Sequence, residues 1–160
     1  MSEKTFQKLT ALLQQSQAQF RVVEHPDAGK SEDVAKIRGT LLGQGAKALV
    51  CIIKGVGVKQ YVLAVLPADK QADLTKLAVA LHGKRASLAS PKEVDVLTDC
   101  IFGAIPPFSF HEELRLVADP VLLQRFNELA FNAGTLCHSI ILNTQDYARI
   151  AKPEWIEFVQ

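Results

Sequence analysis

Residues 5–16 place Phe6, Leu9, Leu12 and Leu13 at helical spacing, with Lys8, Gln14 and Gln15 on the other side, which predicts an amphipathic first helix. Phe20 to Glu24 reads as a short strand, and His25-Pro26-Asp27-Ala28-Gly29-Lys30 as turn material. Ser31 ahead of Glu32 and Asp33 predicts a cap with acids in the first turn, and so a helix over 32–37 that ends at Gly39.

The period then changes. Residues 48–54 and 60–66 are β-branched-rich apolar runs joined by Gly55-Val56-Gly57-Val58-Lys59, which predicts a hairpin. Leu74, Leu77, Ala78 and Leu81 form one stripe of a helix over 69–82. A short strand over 85–89 precedes Ser90-Pro91-Lys92-Glu93, a capping box with proline at the first helical position, opening a helix that stops near Asp99. Leu114, Leu116 and Ala118 alternate along 111–119 as a half-exposed strand does, and Asp119-Pro120 predicts a helix to about 127. Residues 129–134 and 139–143 read as strands around a turn. Thr144 then predicts the cap of a last helix through Ala151, stopped by Pro153. Strands both in hairpins and between helices predict one α+β (loosely α/β) domain over 1–160, a mixed sheet with helices outside.

Composition narrows the function classes. A chain of 160 residues buries about 70% of its unfolded surface, enough for a core without staples. No apolar run approaches a membrane span, and Met-Ser-Glu-Lys-Thr-Phe lacks the pattern of a signal peptide, so the expected location is cytoplasmic, with no membrane partner. Cys51, Cys100 and Cys137 form no C-x-x-C pair, and His25, His82, His111 and His138 are scattered, so neither a disulfide framework nor a metal site is expected. A net charge of +1 predicts that any nucleic-acid contact is local, such as one phosphate or a terminal nucleotide.

Two stretches stand apart as facing walls of one site. Arg38-Gly39-Thr40-Leu41-Leu42-Gly43-Gln44-Gly45-Ala46-Lys47 leads a lone lysine to the mouth of a core strand, where it can meet a phosphate or hydroxyl; an exposed lysine at a strand start is the plainer reading. The stretch lacks the Gly-Lys-Ser/Thr ending of a P-loop, and the glycines at 55 and 57 lack a following helix, so neither predicts triphosphate or dinucleotide binding. Phe102-Gly103-Ala104-Ile105-Pro106-Pro107-Phe108 is a stiff apolar loop, readable as a plain connection or as backbone donors beside a small pocket. No serine sits in a Gly-x-Ser-x-Gly elbow, and Cys137-His138 are neighbours only in sequence. Asn132-Ala133-Gly134 reads as a strand end whose small residues could open space for a ligand.

Taken in order, the Gly-x-Gly-Ala-Lys entry to a core strand, the Gly-x-x-Pro-Pro loop and the Phe-Asn-Ala-Gly strand resemble the YbaK/prolyl-tRNA synthetase editing-domain family, closely its free-standing YeaK-like members. The resemblance covers nearly the whole chain. It implies a mixed, largely antiparallel sheet flanked by helices, and hydrolysis of the ester between a wrong amino acid and its tRNA. It places the family's lysine on Lys47, preceded by Gly45, and the substrate loop on 103–107, with Gly103 and Pro106 the best matches and Pro107 the register alternative. The small-residue strand end falls on Ala133 and Gly134, and a histidine some relatives carry there has only His138 to match it.

On that resemblance Lys47 holds the phosphate or ribose of the terminal adenosine, and the Gly103 and Ala104 N–H groups meet the ester carbonyl. Ile105 and Pro106 bound a pocket for alanine, serine or threonine. Water attacks, helped by the neighbouring ribose hydroxyl, and no cofactor is called for. The partner is aminoacyl-tRNA, with docking on a synthetase left open. The alternative is a non-catalytic module using the same pocket for an amino acid, a nucleotide or a protein.

Overall fold

The computed structural model describes residues 3–55, 57 and 59–160. The reading of Met1 and Ser2 and the positions of Val56 and Val58 in the 55–59 loop lie outside the described residues.

Helix α1 (Glu3–Gln15) leads into strand β1 (Phe20–Glu24) and helix α2 (Ser31–Arg38). A 3-10 turn over Leu42–Gln44 precedes strands β2 (Ala46–Lys54) and β3 (Gln60–Pro67). Helix α3 (Leu74–Ala80), strand β4 (Arg85–Leu88), helix α4 (Pro91–Thr98) and strand β5 (Leu114–Ala118) follow. The chain closes with a 3-10 turn over Pro120–Leu123, strands β6 (Glu128–Asn132) and β7 (His138–Asn143), helix α5 (Thr144–Ala151) and strand β8 (Glu154–Trp155).

Two sheets form where the sequence predicts one. A three-stranded antiparallel sheet runs β1-β7-β6, and a five-stranded mixed sheet runs β4-β2-β3-β5-β8. A single bridge, Gly45 to Ala130, joins the head of β2 to β6. That bridge brings the end of the first predicted wall against β6. Strand β3 lies at the centre, with Val62, Leu63, Ala64, Val65 and Leu66 all at 0% exposure, as expected of a strand covered on both faces. One face receives Leu77 and Leu81 of and beside α3; the other receives Val94 and Leu97 of α4, with Leu9, Leu13 and Tyr147 of α1 and α5 further along.

Several predicted boundaries shift for identifiable reasons. The cap of α2 is Lys30, with no side-chain bond, so Ser31 is the first helical residue and not the cap. Asp73, accepting from Lys76 N, starts α3 later than the predicted 69. Asp119 accepts from Val121 N as a cap should, but its other oxygen takes Phe158 N at 2.8 Å, and the turn it opens is a short 3-10 turn, not a helix to 127. Asn143, not Thr144, caps α5; the Thr144 hydroxyl donates to Phe126 O. The capping box at Ser90 and Glu93 forms as predicted.

Candidate active site

Helix α2 presents Ser31, Val34, Ala35 and Arg38 on one face, the i, i+3, i+4, i+7 positions that share a side of a helix. This face forms one wall of a cleft of about 210 Å³. Gly45 to Leu49 at the head of β2 form the floor, Phe102, Gly103 and Ile105 the opposing loop, and Ala130 to Asn132 the back. The two stretches singled out in the sequence therefore meet across one cavity.

Gly45 is required at the floor. A Cβ there falls 2.9 Å from the Ala68 Cβ, closer than real Cβ atoms approach, and a tight 3.2 Å from the Leu42 carbonyl. Its N–H donates to Leu42 O and its carbonyl accepts from Ala68 N at 2.8 Å, which fixes the direction in which β2 starts. Lys47 follows, half-buried in the β2–β3 ladder, and its side chain makes no hydrogen bond or ion pair to a described residue. Desolvation holds its ammonium below the usual lysine range, partly offset by the charge of Asp69. Asp69 is otherwise engaged, gripped by both ends of Arg125 at 2.8 and 2.6 Å.

The opposing loop is pinned through its carbonyls. Gly103 O accepts from Asn132 Nδ2 at 2.7 Å, Ala104 O from Gly134 N at 2.8 Å, and Pro107 O from the buried Tyr147 hydroxyl at 2.8 Å. Gly103 has φ of +87°, and a Cβ there meets the Gly29 carbonyl at 3.1 Å, so both the turn and the close approach call for glycine. The Gly103 N–H has no described acceptor. The Ala104 N–H does: it donates to Ile101 O at 3.1 Å, which removes it from the pair of donors expected at the ester carbonyl.

The other predicted contacts divide. Ile105 lines the cleft, whereas Pro106 is buried on the far side of the loop, beside Thr5, Leu97 and Phe110. Ala133 is fully buried in the core with Leu129, because strand parity turns both residues inward. Gly134 does not line the cleft; it reaches it only through the Ala104 carbonyl. His138 stacks on Phe6 at 4.3 Å and bonds Thr135 Oγ1, away from the cleft, with Cys137 Sγ 3.5 Å from its Nδ1.

The sequence reading named Arg38 and Asn132 only as parts of longer stretches and gave neither a role in the site. Arg38 Nε donates to Ser139 Oγ at 2.8 Å and Nη2 to Asn132 Oδ1 at 3.1 Å. Asn132 also accepts from Ser139 Oγ and donates to Ala28 O and Gly103 O, so it ties α2, the 25–30 turn and the substrate loop together. His25 stands behind, with Nε2 2.7 Å from Ser139 Oγ and Nδ1 2.8 Å from Pro26 O. Burial alone pulls the Arg38 guanidinium down to about 10, still a cation at neutral pH. No carboxylate lines the cleft, which therefore carries two cations over an apolar floor. Such a site receives an anion or a polarised carbonyl.

The aminoacyl-tRNA editing domain model matches residues 25–150, a span that contains every residue lining this cleft. The chain belongs to the aminoacyl-tRNA editing domain family. Two curated relatives, from Escherichia coli K12 and O157:H7, are each 65% identical over 154 residues, covering 96% of this chain and 92% of their own; both carry the name multifunctional Ser/Thr-tRNA deacylase ProXp-y. Among solved structures, one described only as a hypothetical protein superposes with a TM-score of 0.84 at 19% identity, covering 96% of this chain and 99% of its own. Another, described as "a putative trans-editing enzyme for prolyl tRNA synthetase", gives 0.79 at 21%, covering 98% and 97%. At such identities these two likenesses speak to the fold alone. Among the described residues no helix is long and apolar enough to cross a membrane.

Proposed function

We propose that this protein is an aminoacyl-tRNA deacylase acting in trans, which hydrolyses the ester of tRNA mischarged with a small hydroxylated residue, serine or threonine. The observation that carries the reading is the cleft itself: two cations, no carboxylate and a floor of small apolar residues, in a chain 65% identical to relatives named Ser/Thr-tRNA deacylase. Its volume of about 210 Å³ lies below the roughly 300–1,000 Å³ of pockets that enclose a drug-sized ligand. One aminoacyl group fits; a whole nucleotide stays at the mouth. Lys47 at the rim then holds the phosphate or ribose of the terminal adenosine, and the half-exposed Phe102 offers an aromatic face to its base. The Gly103 N–H faces the ester carbonyl, and water is the nucleophile. Docking of the protein on a synthetase is compatible with this reading and not required by it.

The test is hydrolysis of Ser-, Thr- and Ala-tRNA, beside correctly charged controls, by the wild type and by Lys47→Ala. The wild type is expected to clear seryl and threonyl esters, and the variant to lose about 10- to 100-fold in kcat/KM, the worth of one charge-assisted hydrogen bond. Saturable binding of these tRNAs without turnover of any would make the protein a binding module instead. Full activity in Lys47→Ala would remove Lys47 from the site.

A further inference from the structure

Arg38 is the cation of the cleft that the reading above leaves without a task. Its two described bonds go to neutral acceptors, the Ser139 hydroxyl and the Asn132 carbonyl oxygen, and among the described residues no carboxylate pairs with it. Ser139 is at 0% exposure and Asn132 at 6%, so the guanidinium is held in one plane by buried partners. Its Nη1 edge has no described partner. A partly buried cation lacking a counter-ion is disfavoured, and neutral acceptors recover only part of that cost. Such groups cluster at functional sites, where a ligand can bring the missing charge.

The loop opposite lacks a donor in the same place. Of the two N–H groups expected at the ester carbonyl, that of Ala104 is committed to Ile101 O, and that of Gly103 remains. One amide links the two walls: Asn132 takes Arg38 Nη2 at 3.1 Å and gives to Gly103 O at 2.7 Å. Arg38 and the Gly103 peptide are thus fixed on either side of a single side chain. Lys47 stands at the head of β2, and like Arg38 it is partly exposed and lines the cleft.

We infer that Arg38 is a catalytic residue of this site, whose unpartnered guanidinium edge, with the Gly103 N–H, holds the ester carbonyl oxygen as it becomes an oxyanion. The inference rests on the deacylase reading. In the step it serves, the oxygen of water bonds to the carbonyl carbon and the π pair moves onto the held oxygen. The C=O bond then re-forms as the bond to the ribose oxygen breaks. The ribose oxygen leaves with one proton from the water, and the second is released to solvent as the amino acid becomes a carboxylate. Arg38 stays a cation throughout and transfers no proton.

The test compares the wild type with Arg38→Gln and Arg38→Lys, measuring kcat and KM on Ser-tRNA and the Kd for a 3′-seryl-amide analogue of the terminal adenosine. The expected result for Arg38→Gln is a fall of about 100-fold or more in kcat, the usual cost of one oxyanion donor, with the analogue's Kd within about threefold of wild type. Guanidinium ion added to Arg38→Ala should restore part of the rate. Arg38→Lys keeps the charge and the fold but not the planar donor edge, and is expected to lose about tenfold in kcat with KM unchanged. It decides the matter should the other variants fail to fold. A wild-type kcat with a raised KM and a weakened analogue would make Arg38 a ground-state binder and overturn the inference while leaving the deacylase standing. A wild type that turns over no ester would overturn both.

Discussion

Replacing Asn132 with alanine tests the geometry of the cleft without changing the charge of either cation. The side chain makes four hydrogen bonds: to the Ala28 and Gly103 carbonyls at 2.9 and 2.7 Å, and from Arg38 Nη2 and Ser139 Oγ, both at 3.1 Å. Alanine strands two carbonyls, a guanidinium N–H and a hydroxyl, and each stranded buried group costs about 1–3 kcal/mol. Two of them recover. Ser139 turns its proton toward His25 Nε2, 2.7 Å away, and the Arg38 edge is reached by water from the cleft. The two carbonyls remain, at the low end of the range because the cleft is open, giving a loss of about 2 kcal/mol. For a chain of this length that lowers Tm by roughly 4–8 °C, readable by thermal or denaturant unfolding. Activity should fall further than stability explains, by about 100-fold in kcat at a temperature where the variant is folded, because the Gly103 loop loses its anchor. A Tm within about 2 °C of wild type, or an unchanged kcat, would refute the reasoning by showing that these bonds do not hold the loop in solution.

Two further outcomes follow from the same geometry. Gly103→Ala forces a left-handed residue, costing about 1–2 kcal/mol, and pushes its Cβ against the Gly29 backbone at 3.1 Å; kcat should drop at least about tenfold with KM little changed, and an unaltered kcat would exclude the Gly103 peptide from the reacting carbonyl. The Lys47 ammonium is protonated below its lowered pKa and neutral above it, so its hold on a phosphate is present at neutral pH and is lost as pH rises, earlier than for an ordinary lysine. After subtraction of spontaneous ester hydrolysis, the alkaline fall in kcat/KM should move to higher pH in Lys47→Arg; a fall that does not move would assign it to another group.

How far the sequence disclosed this site depended on the kind of signal each residue left. Lys47 was legible because a charged residue at the head of an apolar run is locally anomalous, and Gly103 because glycine before prolines marks a special turn. Arg38 stood at the start of the stretch leading to Lys47 but was given no role, because beside Lys36 on a short polar helix it carries no local anomaly. The signal existed in the spacing of Ser31, Val34, Ala35 and Arg38, which puts the arginine on the same face as two apolar residues, a poor place for an arginine whose charge faces water. Ser31 was assigned to the cap by its residue type, although Lys30 occupies that position. Asn132 lay one residue from Ala133 and Gly134, which drew attention by being small. Parity decides between them: Ala133 points with Leu129 into the core, and Asn132 points the other way, with Ala130, into the cleft. The division into two sheets was not legible, since it turns on the pairing of β1 with β7 across more than a hundred residues. Local pattern carries no information about such a choice of partner.

The arrangement of carboxylates around the cleft explains why its cations stay available. Four arginines form described ion pairs: Arg21 with Glu128, Arg115 with Glu154, Arg125 with Asp69, and Arg149 with Asp146. Pairs this exposed contribute little to stability, about 0–1 kcal/mol each. One of them nonetheless matters to the site. Asp69 is close enough to raise the Lys47 pKa, and were it free to swing toward the lysine it would neutralise the rim; Arg125 holds it at two points instead. The same pair seals Gly43, where a Cβ would fall 2.5 Å from Arg125 Nη2, so the glycine before the floor and the sequestered carboxylate are parts of one contact. Arg38 receives the opposite treatment, with neutral acceptors where a carboxylate would have been the stable choice. A carboxylate at position 132 would satisfy the guanidinium, but it would face the Ala28 and Gly103 carbonyls that the Asn132 amide now donates to. The amide is the side chain that can accept from a cation on one side and donate to two carbonyls on the other, leaving the cation's charge unspent for a substrate.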